Sequence, residues 1–541
     1  MKKIKYLIPL LVFAFFSCDN YLDINSPSPN DLAFSQALPS KLLPGAQVSA
    51  YRVQGTTMNQ LGNVFMNSWT RNVASFGNGY DSELQLQVTS SFYTGIWDGL
   101  YRQLKNFDAI IKYPNPTGKY DYAIASAKIC KVHYMQQIVD LYGDCPYSQA
   151  WLGTLNTTPA YDDDYSIYQA LFTELESARD LIANADPSIA EDIATYDVML
   201  FGDMARWTEF ANTLQLRLCV HMSEVTGTKA AFRDTKLADI ASGPFLSDNV
   251  TVNPGFTTAV DQQNPAVGFF LYDAAGNLLQ NRTFITMTGH AYKALQSYAT
   301  TNWPNTNYEI VPGSGVYYPN LTDPRSARLF TAGAAANPRR AVTQGSSTVD
   351  VSIIGGIGTG LQLPCRVGLA GNYNPYGLAT SYDSIDGFVM TYSESEFLQA
   401  EAALRWPSLF SGAQTHFDDA ITDNFLIRNA TGDATYKLAI NTKANFGWTG
   451  TDTQKLHAIM YQKWVALMGV FNPIQSYIDY TRTGFPYTPL STNAVQTRKP
   501  YRLIYPVSEY VANSANVPSL TTSEVFVINN KTPFWVPGAP N

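Results

Sequence analysis

Apolar residues recur at three- and four-residue spacings through two long regions of the chain. Within 121–142, Ala125, Ile129, Val132, Met135, Ile138, Val139 and Tyr142 fall on one helical face. Within 165–183, Ile167, Leu171, Leu175, Ala178 and Ile182 do the same, and Asp163 or Asp164 is placed to cap the start. Within 203–222 the stripe is Trp207, Phe210, Ala211, Leu214, Leu218 and His221. A further helix is predicted over 93–112. These four pair as two hairpins, 93–112 with 121–142 and 165–183 with 203–222.

The period returns at 393–405 (Phe397, Ala400, Leu404), 412–428 (Phe417, Ala420, Ile421) and 453–468 (Leu456, Ile459, Met460, Trp464, Leu467), followed by a shorter helix at about 473–481. Between the two helical regions, 227–390 is rich in Gly, Asn, Thr, Pro and Ser, with one clear helix predicted at about 284–299. So long an irregular stretch inside a domain is functional or has structure of its own. The pattern predicts a mostly α fold: about four helical hairpins, resembling tetratricopeptide units, with a large loop-rich insertion. The scaffold would cover about 41–226 and 391–541 of a single domain spanning 41–541.

The first residues follow a different pattern. Lys2, Lys3 and Lys5 precede an apolar run over 6–16, then Ser17, then Cys18 and the polar, acidic Asp19, Asn20, Asp23 and Asn25. The run is shorter than the about 20 residues a spanning helix needs. It reads as a lipoprotein signal over 1–17, with Cys18 the acylated first residue of the mature chain. Large Phe15 and Phe16 before Ser17 make the lipobox a loose one. Two or more acyl chains anchor a protein stably where one does not. Residues 18–40, with Pro27, Pro29 and Pro39, read as a tether.

The formal charge is −8, and it becomes three units more negative once the signal lysines are gone. An acidic chain without basic blocks argues against a nucleic-acid partner. The later cysteines, Cys130, Cys145, Cys219 and Cys365, form no CxxC pair and read as buried free thiols.

Catalytic and metal-binding patterns are sparse. His133, His221, His290, His416 and His457 have no metal-ligand spacing. "YDDDY" (161–165) lacks the spacing of a calcium loop and reads better as helix capping. "GGIGTG" (355–360) has no GK[ST] after it and reads as a turn. Glu394 and Glu396 would project from different faces of a helix, which does not suit paired-acid hydrolysis. No catalytic residue, metal ligand or cofactor is expected, and an enzyme is the most distant reading.

Longer motifs are more informative. "DLYGDCPYSQA" (140–150), "TPAYDDDYSIY" (158–168), "WTEFANTLQLRL" (207–218), "TDPR" (322–325), "EFLQAEAALR" (396–405), "QKWVALMG" (462–469), "YTRTGFP" (480–486) and "YRLIYPVSEYVAN" (501–513) occur in this order. The set resembles the SusD/RagB family of outer-membrane nutrient-binding lipoproteins over nearly the whole mature chain. Thr481, in place of an arginine, and the QSYIDY stretch (475–480) depart from the family pattern. Read structurally, the motif residues are scaffold: Gly143 and Asp144 turn the chain, Pro146 stops a helix, and Arg217 and Arg482 would pair with acids between hairpins.

The resemblance implies a surface-exposed lipoprotein of the outer membrane, tethered at Cys18. It implies a SusC-like TonB-dependent transporter as partner, and an oligosaccharide, or in some members a peptide, as ligand. A transporter lid or interaction scaffold with no ligand site of its own is the rival reading. Ligand aromatics in the family come from two irregular regions. The matching candidates here are Trp69 and Tyr80 in the first, Trp303, Tyr308, Tyr317 and Tyr318 in the second, and Tyr373 beyond.

Overall fold

Fourteen of the 22 residues of the helix Asp121–Tyr142 are apolar and nineteen are buried, so that helix runs through the core with neighbours on several sides.

 The computed structural model describes residues 37–73, 79–271, 273–277, 279–297, 309–311, 316–330, 341–347 and 386–540. Cys18, Trp303, Tyr308, Tyr373, Cys365 and the GGIGTG turn lie outside the described residues.

In chain order the main helices are α1 (Pro39–Val53), α2 (Asn59–Phe65), α3 (Thr94–Ile111), α4 (Asp121–Tyr142), α5 (Asp164–Asn184), α6 (Met204–His221) and α7 (Gly227–Ile240). After these come α8 (Pro265–Phe270), α9 (Gly289–Leu295), α10 (Tyr392–Arg405), α11 (Ala413–Ile427), α12 (Asp433–Ile440), α13 (Asp452–Leu467) and α14 (Ile474–Thr483). The expected hairpins form: α3 packs on α4 and α5 on α6. α4 also packs on α5, and α10 packs on α11, on α13 and back on α6, so one continuous core joins both helical regions. The caps are those the sequence offers. Asp163 Oδ1 accepts from Ser166 N at 2.9 Å at the start of α5, and Thr451 and Gln454 form a capping box on α13.

Three features differ from the sequence reading. The tether was expected to run through residue 40, but α1 begins at Pro39, where a first-turn proline has no N–H to leave unpaired. α1 then passes through a π-helical turn, Gln54–Met58, directly into α2. The stretch from 227, expected to belong to the insertion, begins with α7, which packs on α6 as another scaffold helix. Its buried stripe is only Arg233, Leu237 and Ile240, too sparse to read as a period. The helix expected at 284–299 is shorter. Ile285–Met287 is a strand, and Thr288 Oγ1 caps α9 by accepting from Ala291 N at 2.9 Å.

Among the described residues, three short two-stranded sheets hold the irregular region. β1 (Trp69–Arg71) pairs antiparallel with β3 (Ile285–Met287), matching Trp69 to Met287. β2 (Val250–Val252) pairs with β6 (Gly387–Met390), and β4 (Glu309–Val311) with β5 (Val316–Tyr317). The β2–β6 pair ties the two ends of the insertion together. Gln54, in the π turn, donates to the carbonyls of Phe388 and Val389 at 3.1 and 2.9 Å and fixes that pair against the helices.

The motif residues are structural ties. Arg217 is fully buried and reaches Glu394 at 3.3 Å, joining α6 to α10. Arg325 pairs with Asp323 at 2.7 Å and donates to Asn424 on α11 and Gln462 on α13. Arg482 holds Glu401 and Asp479 at 2.6 and 2.9 Å. Lys463 also reaches Asp479, at 2.9 Å. Gly143 (φ +68) turns the chain after α4, and a Cβ there would sit 3.0 Å from Arg502 Nη1. Buried charges paired in this way are costly to break singly.

Candidate functional site

The β1–β3 sheet brings together the two sequence-distant regions that hold the candidate aromatics. Thr288 N donates to Ser68 O at 3.3 Å, and Trp464 Nε1 donates to Ser68 Oγ at 3.0 Å. His290 lies 5.0 Å from Trp464, ring to ring, and its Nδ1 shares a 2.6 Å hydrogen bond with the Tyr318 hydroxyl. Burial, with Lys499 and Lys293 adding to it, holds His290 well below the ordinary histidine range.

The candidates fall at different depths in this region. Trp69 is 1% exposed, and its ring meets Phe270 edge-on at 5.2 Å. It is a core residue, contrary to the expectation of a loop-borne ring, because β3 covers one side of β1 and α8 the other. Tyr318 is buried as well, with its hydroxyl committed to His290. Tyr317 is the last residue of β5, opposite Glu309. Tyr80 is half-buried with φ +60, at the start of a short helix, Asp81–Gln85. Arg71 Nη1 holds Asp81 at 2.8 Å and fixes that turn. Behind it Glu83 accepts from the Tyr93 hydroxyl at 2.8 Å, and Gln60 donates to the same hydroxyl at 2.8 Å. Burial raises the Glu83 carboxyl above its ordinary value.

A cleft of about 260 Å³ opens beside this assembly and was not among the sequence candidates. Arg52 and Thr56, from the α1–π junction, form one wall, and Asp261, Gln263 and Phe269 form the other. Phe269 is half-buried and meets Phe270 at 4.8 Å, so the cleft rests on the Phe270–Trp69 contact. Arg52 and Asp261 are exposed, and neither has an ion-pair partner among the described residues. The signal for this cleft in the sequence is faint: the "NPAVGFF" run (264–270), in which Asn264 caps α8 and presents two phenylalanines in succession.

The carboxylates considered for chemistry serve the scaffold. Glu394 pairs with Arg217, and Glu396 pairs with His416 at 2.8 Å. Asp144, Asp163 and Asp164 have oxygens within 4.8 Å of one another. Asp163 caps α5, Asp144 accepts from Asp164 N at 3.0 Å, and Asp164 accepts from Phe534 N at 2.9 Å. Burial, with Asp144 beside it, raises Asp164 to about 7. Cys130, Cys145 and Cys219 are buried free thiols, as the sequence reading had them.

Among the described residues the architecture is a stack of helical hairpins carrying an irregular insertion whose ends pair as β2 and β6. A family model described as SusD-like, "starch-binding associating with outer membrane", matches residues 29–265 and 320–506, and the chain belongs to that family. Among solved structures it is similar to a chitin-binding SusD homologue from Flavobacterium johnsoniae, at 21% identity, 92% of this chain and 99% of that one, with a TM-score of 0.66. It is also similar to SusD homologues from Bacteroides thetaiotaomicron (18% identity, 93% and 100% covered, TM-score 0.64) and Parabacteroides distasonis (19%, 93% and 98%, 0.64). No curated protein sequence matches. Among the described residues no helix is long and apolar enough to cross a membrane.

Proposed function

We propose that the protein is a lipid-anchored, outward-facing outer-membrane binding protein that captures oligosaccharides and passes them to a SusC-like TonB-dependent transporter, without catalysis. The observation that carries the ligand class is the cleft beside the β1–β3 sheet. It places a half-buried Phe269 ring beside Arg52 and Asp261, neither of which has an ion-pair partner among the described residues. A sugar offers an apolar ring face to an aromatic side chain and hydroxyl groups to charged and amide donors and acceptors. The chitin-binding relative and the family's starch-binding description support a glycan over a peptide. Trp303, Tyr308 and Tyr373 are proposed to extend the same surface, with Tyr80 and Tyr317 at its border.

Calorimetric titration with a panel of chitin, starch and other oligosaccharides, with peptides as controls, tests this reading. Phe269→Ala should weaken binding by about 1–3 kcal/mol, the range for one well-placed aromatic contact. Peptide binding without glycan binding would overturn the ligand class. Breakdown of any panel sugar by the pure protein would overturn the non-catalytic reading.

A further inference from the structure

A second cavity, of about 490 Å³, lies where α14 ends at Gly484 and is lined by different residues from the cleft above. Three guanidinium groups, of Arg405, Arg482 and Arg498, stand on its wall together with one carboxylate, Glu224. Arg405 is compensated: its Nε reaches Glu401 at 2.7 Å and its Nη1 reaches Glu224 at 2.8 Å. Arg482 is 1% exposed and is held by Glu401 and Asp479, but its Nε has no acceptor among the described residues.

Arg498 has no carboxylate partner among the described residues. Its guanidinium carbon lies 3.2 Å from the centroid of the Tyr501 ring, and its Nε donates to Lys499 O at 3.1 Å. Neither contact occupies the two terminal nitrogens. Next to it Lys499 is 2% exposed, and its Nζ donates to the carbonyl and hydroxyl oxygens of Thr488, at 2.8 and 2.7 Å, and lies 4.5 Å from the centroid of the Tyr480 ring, with no carboxylate partner among the described residues. Even leaving out Lys499, which burial lowers to about 7, the four cations Arg405, Lys463, Arg482 and Arg498 stand here against three carboxylates, Glu224, Glu401 and Asp479. The C-terminal end of α14 adds only about half a negative charge. An excess of positive charge therefore remains, and it is concentrated at Arg498. Burial lowers both Arg498 and Lys499 from their ordinary values, as expected of cations held without a counter-charge.

The rest of the wall suits a ring. Leu456, Tyr480 and Tyr501 give apolar faces, and the volume lies within the range of small-molecule sites. One uncompensated guanidinium beside the partly exposed Glu224 fits a single negative charge better than a doubly charged phosphate. We propose that this cavity is a second binding site, for a sugar acid. The carboxylate of the ligand accepts paired N–H bonds from the terminal nitrogens of Arg498, and its ring lies among Leu456, Tyr480 and Tyr501. Glu224 accepts from a ring hydroxyl.

The test is calorimetric titration of the full chain in detergent with glucuronic acid, glucose and inorganic phosphate, repeated on Arg498→Gln. Glucuronic acid should bind saturably, with glucose and phosphate each at least about tenfold weaker. Arg498→Gln should weaken glucuronic acid by about tenfold or more, the scale of one charge-assisted hydrogen-bonded pair. Its melting temperature should hold, because Arg498 supports no ion pair. If the variant melts early, the salt dependence of the unsubstituted protein decides: affinity for glucuronic acid should fall several-fold from low to high salt, and salt-independent affinity would overturn the site. Glucuronic acid binding no tighter than glucose, phosphate binding as tightly as glucuronic acid, or undiminished binding by a stable Arg498→Gln would each overturn it. Capture of neutral oligosaccharides at the Phe269 cleft should survive Arg498→Gln, so the two proposals fail separately.

Discussion

Trp69 shows how a residue reads differently in sequence and in space. It sits in "NSWTRNV", where no helical period runs and no alternation is long enough to mark a strand. Its covering strand, β3, is more than two hundred residues further along the chain, so nothing local reveals its burial. Trp69→Ala should cost about 3–5 kcal/mol of stability, the range for emptying a large core site, with any loss of ligand binding following from unfolding. A denaturation curve matching the unsubstituted protein would return Trp69 to the surface. His457 is a second buried residue with a measurable signature. Burial, opposed by a hydrogen bond to the Asn445 backbone, lowers it to about 4. The unfolded chain therefore binds a proton that the native chain refuses below about pH 6.5. The stability this gives is complete above that pH and is lost as pH falls towards 4. His457→Phe keeps a ring beside Phe446 and Phe485 but removes the titration. The stability difference between unsubstituted and variant protein should fall by about 3 kcal/mol from pH 7 to pH 4, by urea titration at each pH. A difference that does not change with pH would place that proton elsewhere.

At the scale of elements, the helices with long apolar stripes were legible in the sequence, and α3 to α6, α10, α11, α13 and α14 lie close to where the spacing predicts them. What was not legible depends on contacts far along the chain. α1 carries Pro44 within it and runs into a π turn, and both break the period that would have marked it. The three sheets have strands of two to four residues, below the length at which alternation shows. The close approach of α2 to α14 is equally hidden, and Gly62 makes it possible. A Cβ at Gly62 would lie 2.4 Å from Ile474 N and 2.5 Å from Pro473 C, both backbone atoms that cannot rotate away. Glycine to alanine in an exposed helix gains up to about 1 kcal/mol. Here the sign should reverse: Gly62→Ala should destabilise by about 1–3 kcal/mol or more, the cost of overpacking. Thermal melting of this one variant checks it, and a rise in melting temperature would mean that the two helices can separate without loss.

For the whole molecule, the motifs carried family membership because so many of them are ties between distant parts. Arg217, Arg325, Gln462, Lys463 and Arg482 each join helices, so their order in the chain records the fold and not the ligand. That is also why the binding surface was only partly legible. Aromatics chosen by region included two that the fold buries, and the Phe269 cleft forms from segments some two hundred residues apart, carried by Arg52 and Asp261. The same separation of scaffold from surface shapes the last prediction. α1 begins at Pro39, twenty-one residues after the proposed acylation site, Cys18. The anchor should then be separable from the fold. Cys18→Ala should leave the melting temperature and oligosaccharide affinity unchanged while moving the protein out of the membrane fraction, since no described helix is long and apolar enough to hold it there. Labelled palmitate should enter the unsubstituted chain and not the variant. Membrane retention of Cys18→Ala with palmitate still incorporated would show that acylation lies elsewhere. Release together with a lowered melting temperature would show that the segment before Pro39 belongs to the fold.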